Sequence, residues 1–211
     1  MTPTFTALDV MHDAPVIPVI VLNDPQDAAP LARALVGGGI RMLEVTLRTP
    51  VALQCIERIA KEVPEAVAGA GTIRSAADAQ AAALAGARFG VSPGYTRAVG
   101  KACLDLGMPL LPGVVTSSEI MLAQEDGYQQ LKFFPALQAG GAPMLKAWQG
   151  PFGDVKFCPT GGIHAGNAAE FLSLANVACV GGSWVVPADA IAQKDWARIE
   201  TLAREASNLL R

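Results

Sequence analysis

Short apolar or β-branched runs recur along the chain, each followed by a turn of Gly, Pro, Thr or Ser and then by a segment with helical spacing. That rhythm predicts a strand and a helix, repeated. Eight runs read as strands: Val16 to Leu22, Met42 to Leu47, Ala66 to Ala70, Arg88 to Val91, Leu110 to Val115, Gln130 to Phe134, Val155 to Cys158, and Val177 to Val180. The helices between them carry start signals in Asp24 before Pro25, Thr49 before Pro50, Ser75 with Asp78, and the capping box of Thr116 with Glu119. Gly37-Gly38-Gly39, Gly86 and Gly107 stand where helices should stop. Ile191, Trp196, Ile199, Leu202 and Leu209 predict a covering helix over Ala188 to Leu210, and an extra helix is expected before the first strand, around Thr6 to His12. With no linker and no low-complexity tract, residues 1–211 read as a single domain.

Strand-helix alternation forces a parallel sheet covered by helices, either an open doubly wound sheet or a closed (β/α)8 barrel. Polar residues decide between them. Glu44, Thr72, Ser92, Lys132, Thr160 and Ser183 lie at or near the carboxyl ends of different strands. An open sheet shows a ligand few strand ends, whereas a barrel gathers all eight at one mouth. The expected fold is therefore α/β, a (β/α)8 TIM barrel with an extra N-terminal helix.

Composition narrows the partners. The chain of 211 residues is 51% hydrophobic and 17% charged, which excludes a disordered protein. A net charge of -3 without a basic block offers nucleic acid no footprint. No lysine or arginine precedes Arg33, and the first apolar run is short and holds Pro18, so neither a signal peptide nor a membrane span is expected and the protein reads as cytoplasmic. Cys55, Cys103, Cys158 and Cys179 lack C-x-x-C spacing and read as small buried thiols. Two histidines, His12 and His164, argue against a histidine-based metal site, and neither is assigned a role.

The chemistry centres on Lys132, held in the apolar run Leu131-Lys132-Phe133-Phe134-Pro135. An ammonium there snorkels to solvent, pairs with a carboxylate, or gives up its proton to become a nucleophilic amine. Lys156, in Val155-Lys156-Phe157-Cys158-Pro159, is its competitor, but that strand continues to Thr160-Gly161-Gly162, which sets Lys156 deeper toward the amino end, away from the mouth. In Leu43-Glu44-Val45-Thr46-Leu47-Arg48, alternation points Glu44 and Arg48 into the barrel, as an internal ion pair or as part of a constellation with Lys132. Phe134 shares the parity of Lys132 and would form an apolar wall against a keto acid. The glycine pairs Gly161-Gly162 and Gly181-Gly182, the second followed by Ser183, close the seventh and eighth strands, where barrels bind phosphate with backbone N–H groups and helix amino termini.

Read together, Leu43-Glu44-Val45-Thr46-Leu47-Arg48-Thr49, Gly69-Ala70-Gly71-Thr72, Ser92-Pro93-Gly94, Lys132-Phe133-Phe134-Pro135, Phe157-Cys158-Pro159-Thr160-Gly161-Gly162-Ile163 and Gly181-Gly182-Ser183-Trp184 resemble the 2-dehydro-3-deoxy-6-phosphogluconate (KDPG) aldolases of the Entner-Doudoroff pathway. The resemblance implies a homotrimeric class I aldolase, without metal or other cofactor, acting on a phosphorylated keto acid and also able to cleave 4-hydroxy-2-oxoglutarate. It makes Lys132 the Schiff-base former and Glu44 the general acid/base that moves protons through a water. Arg48 and Thr72 would hold the pyruvate carboxylate, Thr160 would contact the substrate hydroxyl, and Gly161, Gly162, Gly182 and Ser183 would cradle the phosphate. The chain departs from the family at Leu137, where members often carry glutamate, and over Gln138 to Pro143. Two other classes share the glycine loops: a phosphate-binding barrel transferase or isomerase, and a non-catalytic sugar-phosphate binder.

Overall fold

The computed structural model describes residues 5–209. Its strands are β1 Val16–Ile20, β2 Met42–Thr46, β3 Val67–Gly71, β4 Phe89–Val91, β5 Leu110–Leu111, β6 Gly113–Val114, β7 Gln130–Phe133, β8 Lys156–Pro159 and β9 Val180–Gly182. Its helices are α1 Ala7–His12, α2 Ala28–Gly37, α3 Ala52–Glu62, α4 Ala76–Leu84, α5 Arg97–Asp105, α6 Ser117–Glu125, α7 Gly141–Trp148, α8 Ala168–Leu172, α9 Ala188–Ala192 and α10 Trp196–Ser207. Neighbouring strands pair in parallel from β1 through β5 and from β6 through β8, and β9 returns to β1. Isolated bridges Phe157–Val177 and Thr160–Gly181 close the remaining seam. The ring is the expected (β/α)8 barrel.

Differences from the sequence reading have local causes. β5 and β6 are halves of one expected run, split at Pro112, which has no N–H for the ladder. The last strand sits at Val180–Gly182, two or more residues later than expected, so Gly181 and Gly182 end a strand where a loop was read. The covering helix is two helices: Lys194 takes a positive φ of 56, and the Asp195 side chain accepts from the Arg198 N–H to start α10 anew. The expected end of that helix at Leu210 lies outside the described residues. Thr49 does not cap α3; its hydroxyl donates to the Leu22 carbonyl at 2.7 Å, tying the end of one strand to the next. Ser75 and Thr116 cap as read, the latter in a full capping box.

Alternation along the strands makes two cores. Outward-facing Leu43, Val45, Leu131, Phe133 and Phe157 pack against the helices, with the Trp148 ring 5.2 Å from Phe133 and 5.4 Å from Phe157. Inward-facing Ile17, Met42, Phe89, Val91 and Leu111 form a separate cluster with Val10 and Met11 of α1. The extra helix thus seals the amino end of the barrel, its start fixed by the Thr6 and Asp9 capping box. Met11 is fully buried, so Met11→Ala should lower stability by roughly 2–5 kcal/mol, the usual range for truncating a buried Met. A urea midpoint unchanged from the parent would show that α1 does not seal the barrel.

Candidate active site

With the amino end filled, polar side chains collect at the other. Lys132 projects inward from β7, where its register neighbours are Gly113 and Cys158. Glu44 projects inward from β2 opposite Val19 and Gly69. Their side chains meet inside the barrel, Lys132 Nζ lying 3.4 Å from Glu44 Oε1, and both are almost wholly buried, at 7% and 3% side-chain exposure. Of the outcomes open to a buried lysine, pairing with a carboxylate is the one the fold provides. The internal Glu44–Arg48 pair does not form: Arg48 sits at the exposed mouth, and among the described residues no carboxylate lies within ion-pair reach of it. Lys156 stands at the start of β8, at the amino end and away from the mouth, and donates to the Ala175 carbonyl at 2.8 Å.

Above the pair opens a cavity of about 420 Å³. Lys132, Arg48, Thr72, Phe134, Thr160, Gly161, Gly162, Gly182 and Ser183 all line it, and Glu44 reaches it through Lys132. The Phe134 ring centroid is 5.0 Å from Lys132 Nζ, so the aromatic face covers the amine from one side. Val19, Val21, Pro93, Ile163 and Gly181 complete the lining. The sequence gives Val19, Val21, Pro93 and Ile163 no role and Gly181 one only through its glycine pair, although Val19 follows from the parity of Ile17 in β1, and Pro93 and Ile163 fall inside the quoted motifs.

Three glycines make room for this chemistry. A Cβ on Gly71 would lie 2.3 Å from Glu44 Oε1, so the carboxylate occupies space that any side chain there would take. A Cβ on Gly181 would lie 2.2 Å from Thr160 Oγ1, and one on Gly113 would meet the Pro93 carbonyl at 2.4 Å. Thr72, beside Gly71, has a left-handed φ of 62, which a β-branched residue seldom adopts. Its neighbours hold it there: the Gly71 carbonyl accepts from Leu47 N–H at 2.8 Å and Ile73 N–H donates to Val91 at 3.1 Å.

Gly161 and Gly162 follow β8 with φ of 104 and 76. The helix after the first glycine pair starts later than the sequence suggested, α8 at Ala168, and the one after the second pair, α9, starts at Ala188 as expected, so each begins several residues beyond its glycines. An anion at this corner would therefore be met by turn backbone and the Ser183 side chain rather than by a helix terminus. Among the described residues, no three His, Cys, Asp or Glu side chains gather as a metal site. The arrangement is an amine against a carboxylate at the floor, a guanidinium at the mouth, and a glycine turn with a hydroxyl at the far wall. Chemically it can add a nucleophile to a carbonyl, exchange a proton beside it, and hold two anionic groups.

Residues 8–202 match the profile of the KDPG and KHG aldolase family. The 2-dehydro-3-deoxy-phosphogluconate aldolase of Dickeya dadantii is 49% identical over 201 residues, covering 95% of this chain and 94% of that protein. A KDPG aldolase from Legionella pneumophila, solved with pyruvate captured at low pH as a covalent carbinolamine intermediate, superposes with a TM-score of 0.95 at 49% identity, covering 97% of this chain and 99% of the other. The 2-keto-3-deoxy-6-phosphogluconate aldolase of Zymomonas mobilis ZM4, solved with 3-phosphoglycerate, gives a TM-score of 0.93 at 49% identity, with 97% and 96% coverage.

The buried pair predicts its own energetics. Lys132→Met leaves Glu44 without its cation and should cost about 1–3 kcal/mol, less than the ~3–5 kcal/mol of a dry pair because the cavity admits water. The double variant Lys132→Met/Glu44→Gln should recover part of that loss. Additive losses in urea unfolding at neutral pH would mean that the two side chains are not coupled.

Proposed function

The chain belongs to the KDPG and KHG aldolase family, and from that premise we propose that Lys132 forms the Schiff base and Glu44 moves the protons in its reaction. The enzyme is a carbon-carbon lyase, a class I aldolase that cleaves KDPG to pyruvate and glyceraldehyde 3-phosphate. The observation that carries the residue assignment is the Lys132 amine 3.4 Å from the Glu44 carboxylate at the floor of the cavity. A transferase, an isomerase or a simple binder of sugar phosphates has no need of that pair.

Glu44 takes a proton from the Lys132 ammonium and the freed amine adds to the C2 carbonyl of the substrate; Glu44 returns the proton to the departing hydroxyl, and loss of water from the carbinolamine leaves a protonated imine. Glu44, directly or through a water, accepts the proton of the C4 hydroxyl as the C3–C4 bond breaks. The bonding pair passes into the imine to give an enamine, and glyceraldehyde 3-phosphate leaves. Glu44 returns a proton to C3, which becomes the pyruvate methyl, and water releases pyruvate and regenerates the amine. Arg48 and Thr72 hold the keto-acid carboxylate at the mouth, and the strained Thr72 backbone is held in place for that contact. Phe134 supplies the apolar wall, Thr160 contacts the substrate hydroxyl, and Gly161, Gly162, Gly182 and Ser183 receive the phosphate. A five-carbon relative of the substrate lacking phosphate, 4-hydroxy-2-oxoglutarate, uses the same keto-acid end.

No helix among the described residues is long and apolar enough to cross a membrane. The free, buried thiols of Cys55, Cys103 and Cys158 suit a reducing compartment, and we place the enzyme in the cytoplasm. The same reading takes it as a homotrimer, an assignment that rests on the family resemblance.

Borohydride reduction in the presence of pyruvate should give a stable adduct on the peptide containing Lys132, and Lys132→Ala should abolish both the adduct and KDPG cleavage. An adduct mapped to Lys156 would overturn the assignment. Glu44→Gln should retain imine formation while turnover falls by roughly 10²- to 10⁴-fold, the usual contribution of a positioned acid/base. Exchange of the pyruvate methyl protons with solvent, followed by NMR, should fall with it; undiminished exchange moves the proton-transfer role to another group.

A further inference from the structure

An anion-binding turn has to point its N–H groups at the ligand and its carbonyls elsewhere, because an inward carbonyl would repel the charge it is meant to hold. Three consecutive carbonyls at the end of β8 are each tied down. The Thr160 carbonyl accepts from Ala136 N–H at 2.8 Å and the Gly161 carbonyl from Leu137 N–H at 3.1 Å. The Gly162 carbonyl accepts from Asn167 Nδ2 at 3.0 Å. In a trans peptide the following N–H points opposite to the carbonyl. The N–H groups of Gly161, Gly162 and Ile163 are therefore directed away from these anchors, and all three residues line the cavity.

Two of the anchors are backbone groups that almost any residue would supply. The third is a side chain. Asn167 lies outside the cavity lining, half-buried just before α8, and its other amide atom is also engaged: Oδ1 accepts from the His164 N–H at 2.8 Å. One planar amide thus spans the turn, holding the carbonyl of Gly162 and the N–H of His164 at fixed separation. The free choice this removes is large. Gly162 sits at φ 76 beside Gly161 at φ 104, and a glycine backbone can reverse its peptide orientation at little steric cost.

We propose that Asn167 is the positioning residue of the phosphate-binding turn: it fixes the Gly162–Ile163 peptide in the orientation that presents N–H groups to the phosphate. This rests on the reading that the glycine turn and Ser183 receive the substrate phosphate. Asn167 touches no substrate atom and takes no part in the carbonyl chemistry, so its removal acts on the phosphorylated end alone.

Asn167→Ala should raise the KM for KDPG roughly tenfold, the effect of one lost polar contact and a turn displaced by a fraction of an ångström. The pyruvate concentration that half-saturates borohydride trapping at Lys132 should stay unchanged, since pyruvate has no phosphate. Asn167→Ser is the second variant, retaining a polar side chain before α8 but too short to span both backbone groups; it should show the same selective loss. Equal losses for KDPG and pyruvate in soluble, folded variants would make Asn167 merely structural and overturn the proposal. Ser183→Ala and Gly162→Val, measured alongside, separate the two layers. If these weaken KDPG selectively and the Asn167 variants do not, the positioning role fails and the phosphate site stands. If none of the four discriminates KDPG from pyruvate, the phosphate reading of the turn fails, and the positioning role with it.

Discussion

An ammonium and a carboxylate held together inside a barrel of apolar strands are the constraint around which this molecule is arranged. Either charge alone would be expensive to take from water, so each requires the other and both require a polar opening above them. The barrel supplies that arrangement because β2 and β7 point alternate side chains to a common axis although 88 residues separate Glu44 from Lys132. A functional group that is also a structural liability is tolerated because the remainder of the interior is apolar and closed from below. Met42, Ile17 and Phe89 fill the amino half with α1 beneath them, leaving the carboxyl half to the polar groups.

Space within the carboxyl half is set as much by missing side chains as by those present. Gly71 yields its volume to Glu44, Gly181 to Thr160, and Gly113 to the turn at Pro93. Gly71 and Gly181 lie next to the strand or bridge carrying the group, so cross-strand register decides which side chain must be absent there. These glycines have ordinary strand backbone; their role is close approach rather than conformational freedom. Gly161 and Gly162 are the other kind, with left-handed backbone that turns the chain at the far wall of the cavity.

The two ends of the cavity are thereby built from different materials. The end proposed for the keto acid presents side chains, Lys132, Glu44, Arg48 and Thr72. The end proposed for the phosphate presents turn backbone, whose peptide dipoles would meet an anion in place of a charged residue. Leu137 belongs to this end: it is half exposed, its N–H holds the Gly161 carbonyl, and its Cβ lies 2.8 Å from where a Gly162 side chain would begin. Leu137 thus puts an apolar side chain beside the turn, while the backbone anchor does not depend on which side chain residue 137 carries.

Strand number, the direction of inward and outward residues and the separation of Lys132 from Lys156 were legible in the sequence, because period-two alternation and strand order act locally and add up to a barrel. So were the motifs bearing Glu44, Arg48, Thr72, Thr160 and Ser183, since each lies where a strand meets its loop. Other features had no local signal. The partner of Glu44 could have been Arg48 four residues on, yet it is Lys132 across the barrel, a choice made by the ring's closure. The break at Lys194, the late position of Val180–Gly182 and the tethering of Thr49 to Leu22 reflect where neighbouring elements end. Asn167 passed unnoticed for the same reason: an asparagine before a short helix reads as a cap, and only the folded turn shows its amide on Gly162 and His164. Sequence alone determined which residues could face the axis and which chemistry they could perform. Tertiary structure decided which of them meet, because contact across a closed sheet depends on shear and register, which no single strand specifies.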